Sequence, residues 1–173
     1  MENPESAVQA LHTQTQSFLD QQLKDLGWEL NELEVQLNKL RAHLNEVEKK
    51  GLEATSAIRA QKHKVNELRQ KVKKHHLLLA EIDPHTAPHE YQRLNQERDT
   101  LESELANALH ELEQRREAYD QTLAEEDNLI HREWELEQEL NQKRARYLRL
   151  LDQVSQLAQA IERRVREMRA KHF

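Results

Sequence analysis

The chain has 173 residues, of which 34% are charged and only 4% aromatic, with 2 Gly, 3 Pro and no Cys. That composition leaves too few large apolar side chains for a globular core and too few turn residues for a sheet, and it matches long amphipathic helices. The missing cysteines exclude a disulfide scaffold and thiolate metal sites, and a net charge of −6 gives no global reason to seek nucleic acid.

The opening Met1-Glu2-Asn3-Pro4-Glu5 lacks the basic start and apolar core of a signal peptide and reads as a short tail, 1–5. No run of about 18 apolar residues follows, so membrane insertion is not expected and a cytoplasmic location is.

The first helix is expected over 6–82. Alternating steps of four and three from Leu19 stop at Leu23, Leu26, Leu30, Leu33, Leu37, Leu40, Leu44 and Val47, then at Gly51, Ala54, Ile58, Gln61, Val65, Leu68, Val72, His75, Leu79 and Ile82. Sixteen of these nineteen stops are apolar, against 36% for the whole chain, and the register never slips. A sustained heptad seam of this kind points to a left-handed coiled coil. Gly27 and Gly51 weaken the helix locally without ending it.

Asp83-Pro84-His85-Thr86-Ala87-Pro88 holds two of the three prolines. Pro84 cannot continue a helix and pushes Asp83 out of helical geometry, whereas Pro88 suits the first turn of a new one. A loop is expected at 83–87, with Thr86 or Ala87 near the next cap.

The second helix is expected over 88–172. The same stepping from Tyr91 meets sixteen apolar stops in twenty-three. The exceptions are Arg98, Arg115, Thr122, Glu126, Glu133, Lys143 and Arg164, so this seam is leakier.

If the chain folds back at the loop, residues whose numbers add to 173 become partners. Leu79 then meets Leu94, Leu68 meets Leu105, Leu37 meets Leu136 and Leu33 meets Leu140. Ala54 falls opposite Tyr119, with Gly51 beside it to make room. His75 falls opposite Arg98, a polar pair that penalises wrong alignments. Charge agrees with this folding. Residues 59–76 carry Arg59, Lys62, Lys64, Arg69, Lys71, Lys73 and Lys74 against Glu67, net +6, and 97–114 carry six acids against Arg98, net −5. Ion pairs are expected between Lys71 and Glu104, Lys64 and Glu111, Lys50 and Glu125, and Glu29 and Arg146. The fold expected is all-α: a long antiparallel two-helix coiled-coil hairpin, a rod of ~95 Å at 1.5 Å per residue, associating into a larger helical bundle.

The reason to expect association is a second apolar stripe on the second helix, beside the seam: Leu109, Leu123, Ile130, Trp134, Leu148, Leu151, Ala158 and Val165. The matching flank of the first helix is polar, and a two-helix seam needs no wider face. Phe18, Trp28 and Val35 form a smaller outer patch on the first helix. His75, His76, His85 and His89 cluster near the loop, but a zinc site needs three or four ligands and supporting contacts, so no metal or cofactor is expected. Arg163, Arg164, Arg166, Arg169 and Lys171 leave a modest basic patch toward the C-terminus. No nucleophile arrangement, phosphate loop or acid–base carboxylate pair occurs, and no enzymatic activity is expected.

The function these features imply is a scaffold or adaptor rod that assembles with itself or with another coiled-coil subunit. By fold-level analogy alone, a stalk or chaperone-escort subunit of a type III secretion, flagellar export-like or other ATPase machine is the second reading. A nucleic-acid-binding rod is the third, disfavoured because helix 2 supplies acids opposite the basic segment.

Overall fold

The computed structural model describes residues 4–171, and among them there are two helices and no strand: α1, Pro4–Glu81, and α2, Pro88–Lys171. They form an all-α helical hairpin. α1 begins at Pro4, so the expected tail shortens; residues 1–3, like 172 and 173, lie outside the described residues. The earlier start has a physical basis. Proline at the first helical position gives up an N–H that has no partner there anyway. Glu5 adds an acid beside the helix N-terminus and accepts two hydrogen bonds from Arg169, at 3.0 and 3.1 Å.

The reversal occupies 82–87. Asp83 organises it: its carbonyl accepts from the Thr86 and Ala87 N–H groups at 3.2 and 3.1 Å, and its Oδ1 accepts from the His85 N–H at 2.9 Å. Ala87 is the cap, because its carbonyl accepts the first bond of α2, from the Tyr91 N–H at 3.1 Å.

The packed hairpin resolves into two units. The terminal unit holds 4–42 and 130–171, and the central unit is His43–Leu129. In the terminal unit, Leu33 and Leu37 of α1 interlock with Leu140 and Leu136 of α2, flanked by Leu30 and Leu40. In the central unit, Val65 and Leu68 pack with Ala108 and Leu112, with Ile58, Leu101 and Leu105 against them. Within each unit the opposed seam residues have numbers adding to 173, as antiparallel folding at the loop requires.

The heptad reading accounts for burial along both helices. All nineteen stops from Leu19 to Ile82 are buried or half-buried. On α2 only Arg115 and Arg164 among the twenty-three are exposed. Val165, next to the exposed Arg164, is half-buried.

Candidate protein-interaction surface

Lettering the seam positions a and d gives every other residue a place. On α2, positions e and b lie side by side along one flank, and in the terminal unit this flank reads Ile130, Trp134, Glu137, Asn141, Arg144, Leu148 and Leu151. The spacing alternates four and three, so it is a second heptad row. Its apolar members are exposed: Ile130 47%, Trp134 57%, Leu148 65% and Leu151 42%. The His131 ring stacks on Trp134 with centroids 6.3 Å apart and planes 18° apart, and His131 Nε2 contacts Glu135 at 3.2 Å.

The expected stripe is not continuous. Charge divides it into an Ile130–Trp134 pair and a Leu148–Leu151 pair, with Glu137, Asn141 and Arg144 between. Arg41 of α1 donates to Glu133 at 3.0 Å and to Glu137 at 2.6 Å. Arg144 donates to Glu34 at 2.8 Å. Glu34, Arg41, Glu137 and Arg144, with Leu37, Asn38, Leu140 and Asn141, line a shallow groove between the two helices. Bonding to Glu133 first, then to Glu137, raises the Arg41 guanidinium above its ordinary value, so this cation stays charged.

The same contacts explain how a leaky seam holds. Glu133 sits at a seam position and is neutralised by Arg41. Lys143, also on the seam, reaches Glu29 at 3.2 Å and Glu139 at 3.5 Å. The Glu29 bond is the largest of the effects that raise the Lys143 ammonium above its ordinary 10.5.

Other expected interface residues are exposed but scattered. Leu109 and Leu123 of the central unit are 37% and 39% exposed. Phe18 and Trp28 project from the outer face of α1, at positions c and f, and are 63% and 67% exposed. That places them off the e/b flank. Leu52 and Leu77, at 74% and 60%, are also exposed; they occupy isolated positions b and f and carry no periodic signal.

The seam-specifying residues behave differently from one another. His75 and Arg98 do not bond each other; each turns to other partners. His75 Nδ1 contacts the Lys71 carbonyl at 3.0 Å and its Nε2 contacts Glu97 at 3.1 Å. Arg98 donates to Asp99 at 3.2 Å and leaves its Nε buried without a partner. A Cβ at Gly51 would meet Thr122 rather than Tyr119, at an ordinary 3.9 Å, so the room there is not needed by the tyrosine. Gln61 was one of three non-apolar stops in the first seam. It is only 5% exposed, and its Nε2 donates to the Ala108 carbonyl at 2.9 Å. This makes it a cross-helix tie that its seam position alone hinted at.

None of the four expected ion pairs is among the contacts formed. Position e follows d and position g precedes a, so the flanking rows are displaced in opposite directions from the seam. The e–e pairs Arg41–Glu137, Arg144–Glu34 and His76–Glu102 have numbers adding to 178. The g–g pair His43–Glu125 adds to 168, whereas the expected pairs add to 175, one heptad away. Among the described residues, no Lys or Arg of 59–76 makes an ion pair within 4.0 Å, and of the acids facing them Glu97 is reached by His75 and Glu102 by His76. Exposed lysines gain too little from such pairs to give up their hydration and freedom. Near the C-terminus, Arg166 pairs with Glu162 and Arg169 with Glu5, which consumes part of the expected basic patch.

Among the described residues there is no cluster of three or more side chains fit to hold a metal ion, and no helix is long and apolar enough to cross a membrane. Comparison with family models, with curated proteins and with solved structures finds no match.

Proposed function

We propose that the chain is a non-enzymatic coiled-coil scaffold or adaptor that brings helical proteins together through the e/b flank of α2. One observation carries the reading. From Leu19 to Ile82 on α1 and from Tyr91 to Met168 on α2 the seam buries or half-buries all but two of its a and d positions, yet α2 keeps a second heptad row with Ile130 and Trp134 in water. Exposed tryptophans on a periodic apolar row are what helix–helix interfaces are built from, and truncating such a residue costs about 2 kcal/mol of binding or more, roughly thirtyfold in affinity.

The double substitution Ile130→Lys with Trp134→Lys tests it. Helicity by circular dichroism should be unchanged, since no a or d residue is touched. Assembly, read as mass by light scattering and as recovery of the native partner, should fall by at least thirtyfold in affinity. A variant that keeps both mass and partner contradicts the proposal.

A further inference from the structure

The e/b flank of the terminal unit is nearly palindromic. Asn141 sits at its middle. Glu137 lies four residues before it and Arg144 three after, Trp134 seven before and Leu148 seven after, Ile130 eleven before and Leu151 ten after. An acid thus mirrors a base, and an apolar pair mirrors an apolar pair. A surface with that arrangement is complementary to itself when turned end for end. This is the property of an isologous, twofold-symmetric interface.

From this self-complementarity we infer that the flank docks a second copy of the same chain, with the two α2 helices antiparallel across a twofold axis at Asn141. The inference rests on the proposed assembly role of α2 and names its occupant. In this pairing Ile130 and Trp134 of one copy cover Leu148 and Leu151 of the other, twice. Glu137 of each copy faces Arg144 of its partner. Both groups have capacity to spare. Their side chains are 42% and 52% exposed while bonded to Arg41 and Glu34. A carboxylate offers about four acceptor sites and a guanidinium five donors. Two networks result, each running Arg41, Glu137, then Arg144 and Glu34 of the second copy. The parallel alternative stacks Glu137 on Glu137 and Arg144 on Arg144, and repulsion disfavours it.

Size sets the strength. The row from Ile130 to Leu151 is ~31 Å long, and two helices side by side are ~20 Å across. The face covers roughly 600 Å² per copy, somewhat under the ~800 Å² of a standard stable interface. The dimer is therefore expected to dissociate in the micromolar range.

The sequence has no cysteine, so single introduced thiols read the geometry cleanly. At about 100 µM under mild oxidation, Asn141→Cys should link to itself, because that position lies on the axis. Leu148→Cys should not link to itself, since its twin lies about fourteen residues away, ~21 Å along the helix. It should link to Trp134→Cys when the two variants are mixed. Glu117→Cys, exposed in the central unit, is the control and should stay monomeric. Independently, Leu148→Lys with Leu151→Lys should lower the wild-type mass to that of one chain with helicity retained. Efficient self-linking of Leu148→Cys would mean a parallel dimer and overturn the proposal. So would a wild-type chain that sediments as a monomer at 100 µM while Asn141→Cys fails to link. In either case the Ile130→Lys and Trp134→Lys assay with a native partner still judges the assembly role separately.

Discussion

Replacing Gln61 by glutamate changes one atom group and leaves size unchanged, so it isolates the cross-helix tie. Gln61 Nε2 lies 2.9 Å from the Ala108 carbonyl oxygen, and the side chain is 5% exposed. Gln61→Glu substitutes an acceptor for the donor and aims it at another acceptor. The hydrogen bond contributes about 1 kcal/mol net. A buried carboxylate without a partner adds a desolvation cost, which the protein limits by letting the group take up a proton. Together these effects destabilise the hairpin by ~2–3 kcal/mol at pH 7. The pH dependence has a definite sign. The introduced acid is protonated more readily when folded than when unfolded. Its cost is therefore absent below the unfolded carboxyl pKa of about 4.3 and grows as pH rises toward the elevated folded value. Urea denaturation followed by circular dichroism at pH 4 and pH 7 measures both. Gln61→Leu is the companion: it gives up the bond and gains apolar burial on the seam, so it should match or exceed the parent in stability. A Gln61→Glu variant as stable as the parent at pH 7 would mean that this side chain is not held against α2.

Gly51→Ala and Gly27→Ala should each raise stability by about 0.5–1 kcal/mol. A new Cβ meets only Thr122 or Tyr147 at 3.9 Å, and a thermal melt that falls instead would place backbone or a rigid ring closer. The Lys143–Glu29 pair predicts an alkaline effect. The folded ammonium is raised above 10.5, chiefly by Glu29. The pair's contribution is thus complete below 10.5 and lost as pH climbs through the raised value. The difference in melting temperature between the parent and Glu29→Gln should be constant from pH 7 to 10 and shrink only as pH climbs from 10.5 through the raised ammonium value; a difference that persists once that lysine is neutral would mean the contact is not ionic.

The hairpin was legible because its signals are periodic and redundant. Leu33, Leu37, Leu136 and Leu140 each sit on a seam that repeats for tens of residues, and Pro84 with Pro88 leaves a single place to turn. The number rule for opposed residues followed from that turn, and the packed leucines obey it. Flanking contacts were less legible. Whether Arg41 meets Glu137 or a residue one heptad away depends on displacements of a few ångströms that the seam pattern does not encode. Side-chain reach also decided Arg115, which left the seam although its position lies on it, with its Nη1 toward the Ala57 carbonyl at 3.5 Å. The stripe on α2 was visible as apolar residues. Its division by Glu137 and Arg144 emerged only when those charges were followed to Arg41 and Glu34.

Trp134 is expected to be covered when the protein assembles. The chain has 2 Trp, so Trp28→Phe leaves Trp134 as the sole indole reporter. Acrylamide quenching of its fluorescence, measured from 0.1 to 100 µM protein alongside sedimentation mass, tests the claim directly. Quenching should be efficient in the dilute monomer, where Trp134 is 57% exposed, and should fall severalfold in step with the gain in mass. Mass that rises while Trp134 remains as quenchable as in the monomer would mean that assembly uses another face.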